Sequence, residues 1–155
     1  MLANRRKFQK LIGTEGKVLE EKRAKTTQDT IFLNGTLSSG IPLSFSLRGG
    51  PPFPGQPGMD WTIHGEKGTI RITSPSPFVQ IGFDGMKVEL QEGEGEKVEV
   101  LEIGNDDFES YAYPARNVAR VYETFAKGEI NCTFEDAVER HVLIEALYRE
   151  NGIQE

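Results

Sequence analysis

Residues 44–65, SFSLRGGPPFPGQPGMDWTIHG, hold the reading that decides the fold. Leu43, Phe45 and Leu47 alternate with Ser44, Ser46 and Arg48 over residues 41–48. A period of two is the pattern of a half-buried strand. Gly49–Gly58 follows, with four glycines and four prolines in ten residues, a composition that excludes both a helix and an inner strand. Residues 59–64 then alternate again, with Trp61 and Ile63 on one side and Asp60, Thr62 and His64 on the other. Two strands, each with a polar face, are thus joined by a stiff loop. The polar face meets water, a second copy of the chain or a small molecule.

Working outward, the same period recurs. Residues 7–12 and 17–23 flank Gly13-Thr-Glu-Gly16, a hairpin signal. Residues 29–37 put Ile31, Leu33 and Leu37 on one side, and Ser38-Ser39-Gly40 turns the chain back. Gly65-Glu-Lys-Gly68 is a tight turn into residues 69–73, where Ile70 and Ile72 oppose Thr69, Arg71 and Thr73. Further strands are expected at 77–83, 86–91 and 97–103. From Tyr113 the period changes: Ala115, Val118, Ala119, Tyr122, Phe125 and Ala126 follow helical spacing, with Pro114 at the start and Gly128 at the stop. A second helix starts at Thr133, where Thr-Phe-Glu-Asp136 resembles a capping box, and ends near Asn151-Gly152. The expected fold is α+β and two-layered: a large, mainly antiparallel open mixed sheet with two C-terminal helices packed on one face. Residues 1–155 are read as one domain. The other sheet face carries Asn34, Thr36, Ser44, Ser46, Arg48, Asp60, Thr62, His64, Arg71 and Thr73.

Composition narrows the function classes. The chain has 155 residues and a net charge of −6, which argues against a nucleic-acid partner and against anionic membrane surfaces. No apolar run reaches the length of a membrane span, and the basic start has no apolar stretch behind it. Cys132 is the single cysteine, so no intrachain disulfide can form, and a cytoplasmic, reducing compartment is expected.

Catalytic motifs are sparse. Gly93-Glu-Gly95-Glu-Lys-Val98 lacks the third glycine of a dinucleotide fingerprint and sets glutamates where a pyrophosphate would lie. No P-loop, HExxH or cysteine pair occurs, and neither metal nor cofactor is expected. The candidates for proton transfer are His64 with Asp60 and Arg48 on the polar face, and His141 with Glu145 one turn further along the second helix. Tyr113, with Tyr111, stands at the entrance of the first helix and is a candidate for a pocket mouth. Each also has a plain structural role to play: an interface histidine, a paired helix histidine, a packed tyrosine.

Four stretches resemble a known family. They are LNGTLSSGIPLSFSLRGG, PGMDWTIHGEKGTIRI and ESYAYPARNVARVYETFAKGE, followed by TFEDAVERHVLIEALYRENG. Together they look like the C-terminal domain of the Gfo/Idh/MocA oxidoreductases, in a fungal branch that includes a galactose-pathway repressor. The resemblance implies an open mixed sheet whose free face makes a subunit contact, here from Arg48 to His64. In the family a Rossmann domain comes first and binds NAD or NADP; this sequence shows no such domain and no Glu-Lys-Pro motif. No family catalytic residue carries over, and hydride transfer by this chain alone is not expected. Three readings follow: a dimerising module that binds a partner or small molecule, a cofactor-independent isomerase, cyclase or lyase of fungal-type metabolite biosynthesis, or a fragment of an NAD(P)-dependent oxidoreductase.

Overall fold

A computed structural model describes residues 1–4, 6–78, 85–102, 107–130 and 132–153. They fall into two compact units, Met1–Gly50 with Thr133–Glu155, and Pro51–Cys132. The α+β expectation holds: nine strands, all paired antiparallel among the described residues, and two helices.

In the first unit, β2 (Phe8–Ile12) and β3 (Val18–Ala24) form the expected hairpin. Its turn closes through Gly13 N–H to the Lys17 carbonyl at 2.9 Å, and Gly16 takes the left-handed conformation there (φ 77°). A three-stranded sheet runs β1 (Leu2–Ala3), β4 (Thr30–Thr36), β5 (Pro42–Arg48). Leu33 lies opposite Phe45, and Ile31 opposite Leu47, so the apolar residues of both strands share one face. The other face holds Thr30, Asn34, Thr36, Ser44, Ser46 and Arg48. Phe32 also lies on it, opposite Ser46, and stays about half exposed (46%).

Helix α2 (Phe134–Glu150) begins with the anticipated capping box. The Asp136 N–H donates to Thr133 Oγ1 at 3.2 Å, and Thr133 N–H donates back to Asp136 Oδ2 at 2.7 Å. The Thr133 N–H and, at 2.8 Å, the Thr133 hydroxyl both donate to Asp136 Oδ2 and hold its carboxyl below the usual carboxylate range. At the other end, Asn151 caps the Leu147 carbonyl and accepts from Leu2 N–H at 2.9 Å, which ties the helix to β1.

The second unit is a four-stranded meander of β6 (Met59–Gly65), β7 (Gly68–Ser74), β8 (Lys87–Glu92) and β9 (Val98–Leu101). Trp61, Ile72, Val88 and Leu101 form one cross-strand row, and Ile63, Ile70 and Leu90 the next. The strand expected at 77–83 falls mostly on residues 79–83, which lie outside the described residues. Helix α1 (Tyr113–Ala126) starts with Pro114 in its first turn and stops at Gly128, left-handed at φ 78°. No helix among the described residues is long and apolar enough to cross a membrane.

No apolar side chain among the described residues is buried; the one fully buried side chain is Ser74. The apolar sheet faces stay open, with Trp61 53% and Phe45 44% exposed.

The β6–β7 turn is the tightest point of the meander. A Cβ on Gly68 would collide with the Gln91 backbone carbonyl across the ladder. Backbone cannot retreat as a side chain can. Gly68→Ala is therefore expected to lower unfolding stability by more than about 1 kcal/mol, read by urea titration. Gly16→Ala has open space around it and provides the comparison for the cost of a left-handed φ alone.

Candidate functional site

The polar face of the second unit is built in rows by strand register. Asp60 lies opposite Thr73, which lies opposite Lys87. Thr62, Arg71 and Glu89 form the middle row, and His64, Thr69 and Gln91 the third. Strand β9 extends the face with Val100 beside Glu89 and Val98 beside Gln91, exposed by 60% and 52%. Nine polar side chains thus end in an apolar edge.

Arg71 organises the face. Its Nε donates to Asp60 Oδ1 at 3.0 Å and its Nη2 to Asp60 Oδ2 at 2.6 Å, a bidentate pair across the diagonal of the ladder. Glu89 Oε2 stands 3.9 Å from Nη1 on the other side. The hydrogen bonds from Arg71 hold the Asp60 carboxyl below its ordinary range, with slight burial working the other way. The same pair, with Glu89 behind it, raises Arg71. His64 Nδ1 and Thr69 Oγ1 share a hydrogen bond of 3.2 Å. Gln91 Nε2 donates to the Gly95 carbonyl at 2.6 Å, bending the β8–β9 turn over the end of the face.

The residues singled out from sequence are distributed over both units. Asp60 and His64 lie on β6 in the second unit; Arg48 ends β5 in the first, opposite Thr30. Arg48 therefore belongs to a different ladder from Asp60 and His64. His141 lies on α2, exposed, as is Glu145 one turn on. Tyr113 is the first residue of α1; its side chain lies outside the described residues. Asp60 finds its cation in Arg71 and not in a histidine. Among the described residues no group of three or more His, Cys, Asp or Glu is arranged to hold a metal ion.

Sequence reasoning placed Arg71 on the face without giving it a role, and omitted Glu89, Gln91 and Phe32. Glu89 and Gln91 alternate with Val88 and Leu90, so the period of two already marked them. Phe32 sits within the unbroken apolar run Ile31-Phe32-Leu33, where alternation gives no side.

Comparison with known proteins fits this geometry. Residues 1–74 match the family described as Gal80p, C-terminal domain. The galactose/lactose metabolism regulatory protein GAL80 of Saccharomyces cerevisiae is 25% identical over 97% of this chain. That of Kluyveromyces lactis is 34% identical over 52% of it. A crystal structure of a super-repressor mutant of Gal80p from Saccharomyces cerevisiae superposes with a TM-score of 0.76 at 26% identity, covering 97% of this chain and 41% of that one. A second super-repressor mutant gives 0.67 at 25%, covering 97% and 40%. Sheet and helices together define a C-terminal domain of the Gfo/Idh/MocA type. Within that type, the chain is similar to the Gal80p C-terminal domains, over residues 1–74 by family model and over nearly its whole length by fold. It spans less than half the length of these relatives, 43% of the Saccharomyces protein and 18% of the Kluyveromyces one.

The Asp60–Arg71 pair sets a pH signature. A carboxyl whose folded pKa is depressed adds stability above its unfolded pKa, ordinarily near 3.8, and loses it as pH falls through the lower folded value. Arg71→Met should return the Asp60 carboxyl towards its ordinary range and remove that acid limb. Titration of the Asp60 carboxyl carbon by NMR measures both; an unmoved midpoint in the variant would show that Arg71 is not the cause.

Proposed function

We propose that the chain is an oxidoreductase-like C-terminal module that works as a partner-binding, regulatory unit, pairs with a second copy of itself through its open polar sheet face, and does not transfer hydride on its own. Residues 1–155 act in this reading as one domain, in a reducing compartment such as the cytoplasm.

The observation that carries the reading is the orientation of α1. Val118, Val121, Tyr122 and Phe125 fall at i, i+3, i+4 and i+7, one apolar stripe. In a self-sufficient domain such a stripe faces the core and the polar side faces water. Here the polar side is the tethered one. Arg116 donates from Nε to the Tyr111 carbonyl at 2.9 Å and from Nη2 to the Glu109 carbonyl at 2.6 Å. Arg120 lies over the Phe108 ring, 5.9 Å from its centre. The stripe is left facing outward, Tyr122 70% and Phe125 74% exposed. Contiguous apolar surface of this kind marks an interaction site. The relatives, a metabolism regulatory protein and a super-repressor mutant, support a regulatory use of that surface.

The polar face supplies the self-contact of the proposal. Its mixture of paired charge, hydroxyls and the exposed Val98–Val100 edge has the make-up of a non-obligate interface. The cofactor-independent enzyme gains no such support, because Asp60 is engaged by Arg71 and His64 by a threonine hydroxyl.

Sedimentation velocity of the whole chain tests the self-contact. A reversible dimer is expected. Asp60→Lys, which repels Arg71 and reverses charge on the face, should weaken it at least tenfold, about 1.4 kcal/mol. Tyr122→Glu with Phe125→Glu should leave the dimer constant unchanged. A monomer at all concentrations, or a dimer that only the helix variant disrupts, counts against the sheet-face contact. Native mass spectrometry in parallel detects a retained small molecule, the result that would favour a remodelled pocket.

A further inference from the structure

We propose that Pro51-Pro52-Phe53-Pro54 is a docking segment for a domain of the SH3 type, which reads a left-handed polyproline II helix in an aromatic-lined groove. The loop is the one distinctive stretch of sequence that neither sheet face nor helix uses.

The backbone of the segment is restricted by its composition. Proline rings fix φ near −65° at positions 51, 52 and 54. A residue that precedes proline is pushed out of the helical region into extended or polyproline II geometry, and this applies to Pro51 and to Phe53. Residues 51–53 join no ladder and no helix. The two glycines that take left-handed φ, Gly50 at 103° and Gly55 at 81°, bracket the segment and lie outside it. Gln56 N–H donates to the Phe53 carbonyl at 2.9 Å. Pro54 and Gly55 therefore occupy the centre of a turn, and proline followed by a left-handed glycine is the type II pattern. The first central residue of that turn has dihedrals close to polyproline II, so the run continues through Pro54 and stops at Gly55.

Geometry then places the rings. Polyproline II repeats every three residues and rises about 3.1 Å per residue. Pro51 and Pro54 stand three apart, on one ridge about 9 Å long. This is the spacing of a PxxP ligand. Residues 51–56 are all exposed, and Phe53 is 73% exposed. Downstream, Gly58 N–H donates to the Ser74 carbonyl at 2.8 Å, which fixes the end of the loop on β7 of the same unit. A segment whose φ angles are fixed at three of its four residues loses less entropy on docking than an unrestricted one. Stiffness alone would explain the prolines of a connector. It does not call for an aromatic side chain held in water between two of them.

Fluorescence anisotropy of the labelled full-length chain, titrated with a panel of purified SH3 domains, tests the proposal, with WW and EVH1 domains alongside. Saturable micromolar binding to at least one SH3 domain is expected. The double variant Pro51→Ala, Pro54→Ala should weaken it at least tenfold, with the far-ultraviolet circular dichroism spectrum unchanged. If that variant does not fold, amide shift mapping on the wild-type chain decides instead: the bound SH3 domain must move the amides of Phe53, Gly55 and Gln56 and leave those of β8 and β9 in place. Binding by no SH3 domain, binding by WW or EVH1 domains alone, tenfold-unaffected binding in a folded double variant, or shifts confined to the sheet would each overturn the assignment.

Discussion

Strand register between β6 and β7 is the constraint on which the rest of the second unit depends. Side chains alternate with a period of two, so a slip of one residue would exchange the two faces completely. Two features hold the register. Glu66 and Lys67 alone bridge Gly65 and Gly68, and at Gly68 the chain passes so close to the Gln91 carbonyl that no side chain fits. Midway along, the bidentate bond from Arg71 to Asp60 reaches across the diagonal and adds a charge-assisted tie to this register. With the register fixed, Trp61 shares a face with Ile72, Val88 and Leu101, and the charged rows go to the other side.

Both faces created in this way are left open, and α1 of the same unit does not cover them within the described residues. A helix that is amphipathic normally resolves a sheet's apolar face by covering it. α1 instead spends its arginines on carbonyls and a ring of its own unit, so its apolar stripe points away. α2 reaches the same condition by another route. Leu143, Ile144, Leu147 and Tyr148 lie on one side of it, and Phe134, Val138 and Val142 on the other, with charged residues interleaved between them, so its apolar side chains form no single stripe. Phe134 is 89% exposed. The relatives offer a physical setting for this surface, since their chains are more than twice as long.

Much of this was legible in the sequence, because much of it is local. The hairpin at Gly13–Gly16, the capping box at Thr133, Pro114 and Gly128 at the ends of α1, and the alternation through Ser44–Arg48 and Asp60–His64 each depend on a few neighbouring residues. What escaped depends on pairing at a distance. Strand β1 has two residues in a charged stretch and exists because Leu2 meets Ile31. Arg48 and Asp60 both sit on alternating strands, yet alternation does not say which ladders the strands join, and theirs differ. The role of Arg71 also needed the register, since its partner lies neither opposite nor adjacent but one step along the diagonal.

In the proposed partner-binding role, the charged face and the apolar surfaces would divide the work of recognition between them. Arg71 and Asp60 are each more than 40% exposed, and an ion pair in that much water contributes little to folding. Its value changes when another surface covers it. Water then leaves, the bidentate geometry is already in place, and a partner that does not complement Glu89, Lys87 and the free edge of the guanidinium meets unpaired charge. Such a face selects more than it adheres. Adhesion would come from Tyr122 and Phe125 on α1, aromatic side chains of the kind that anchor interfaces when buried. In that role selection rests on the sheet and adhesion on the helix, and neither task requires a reacting group.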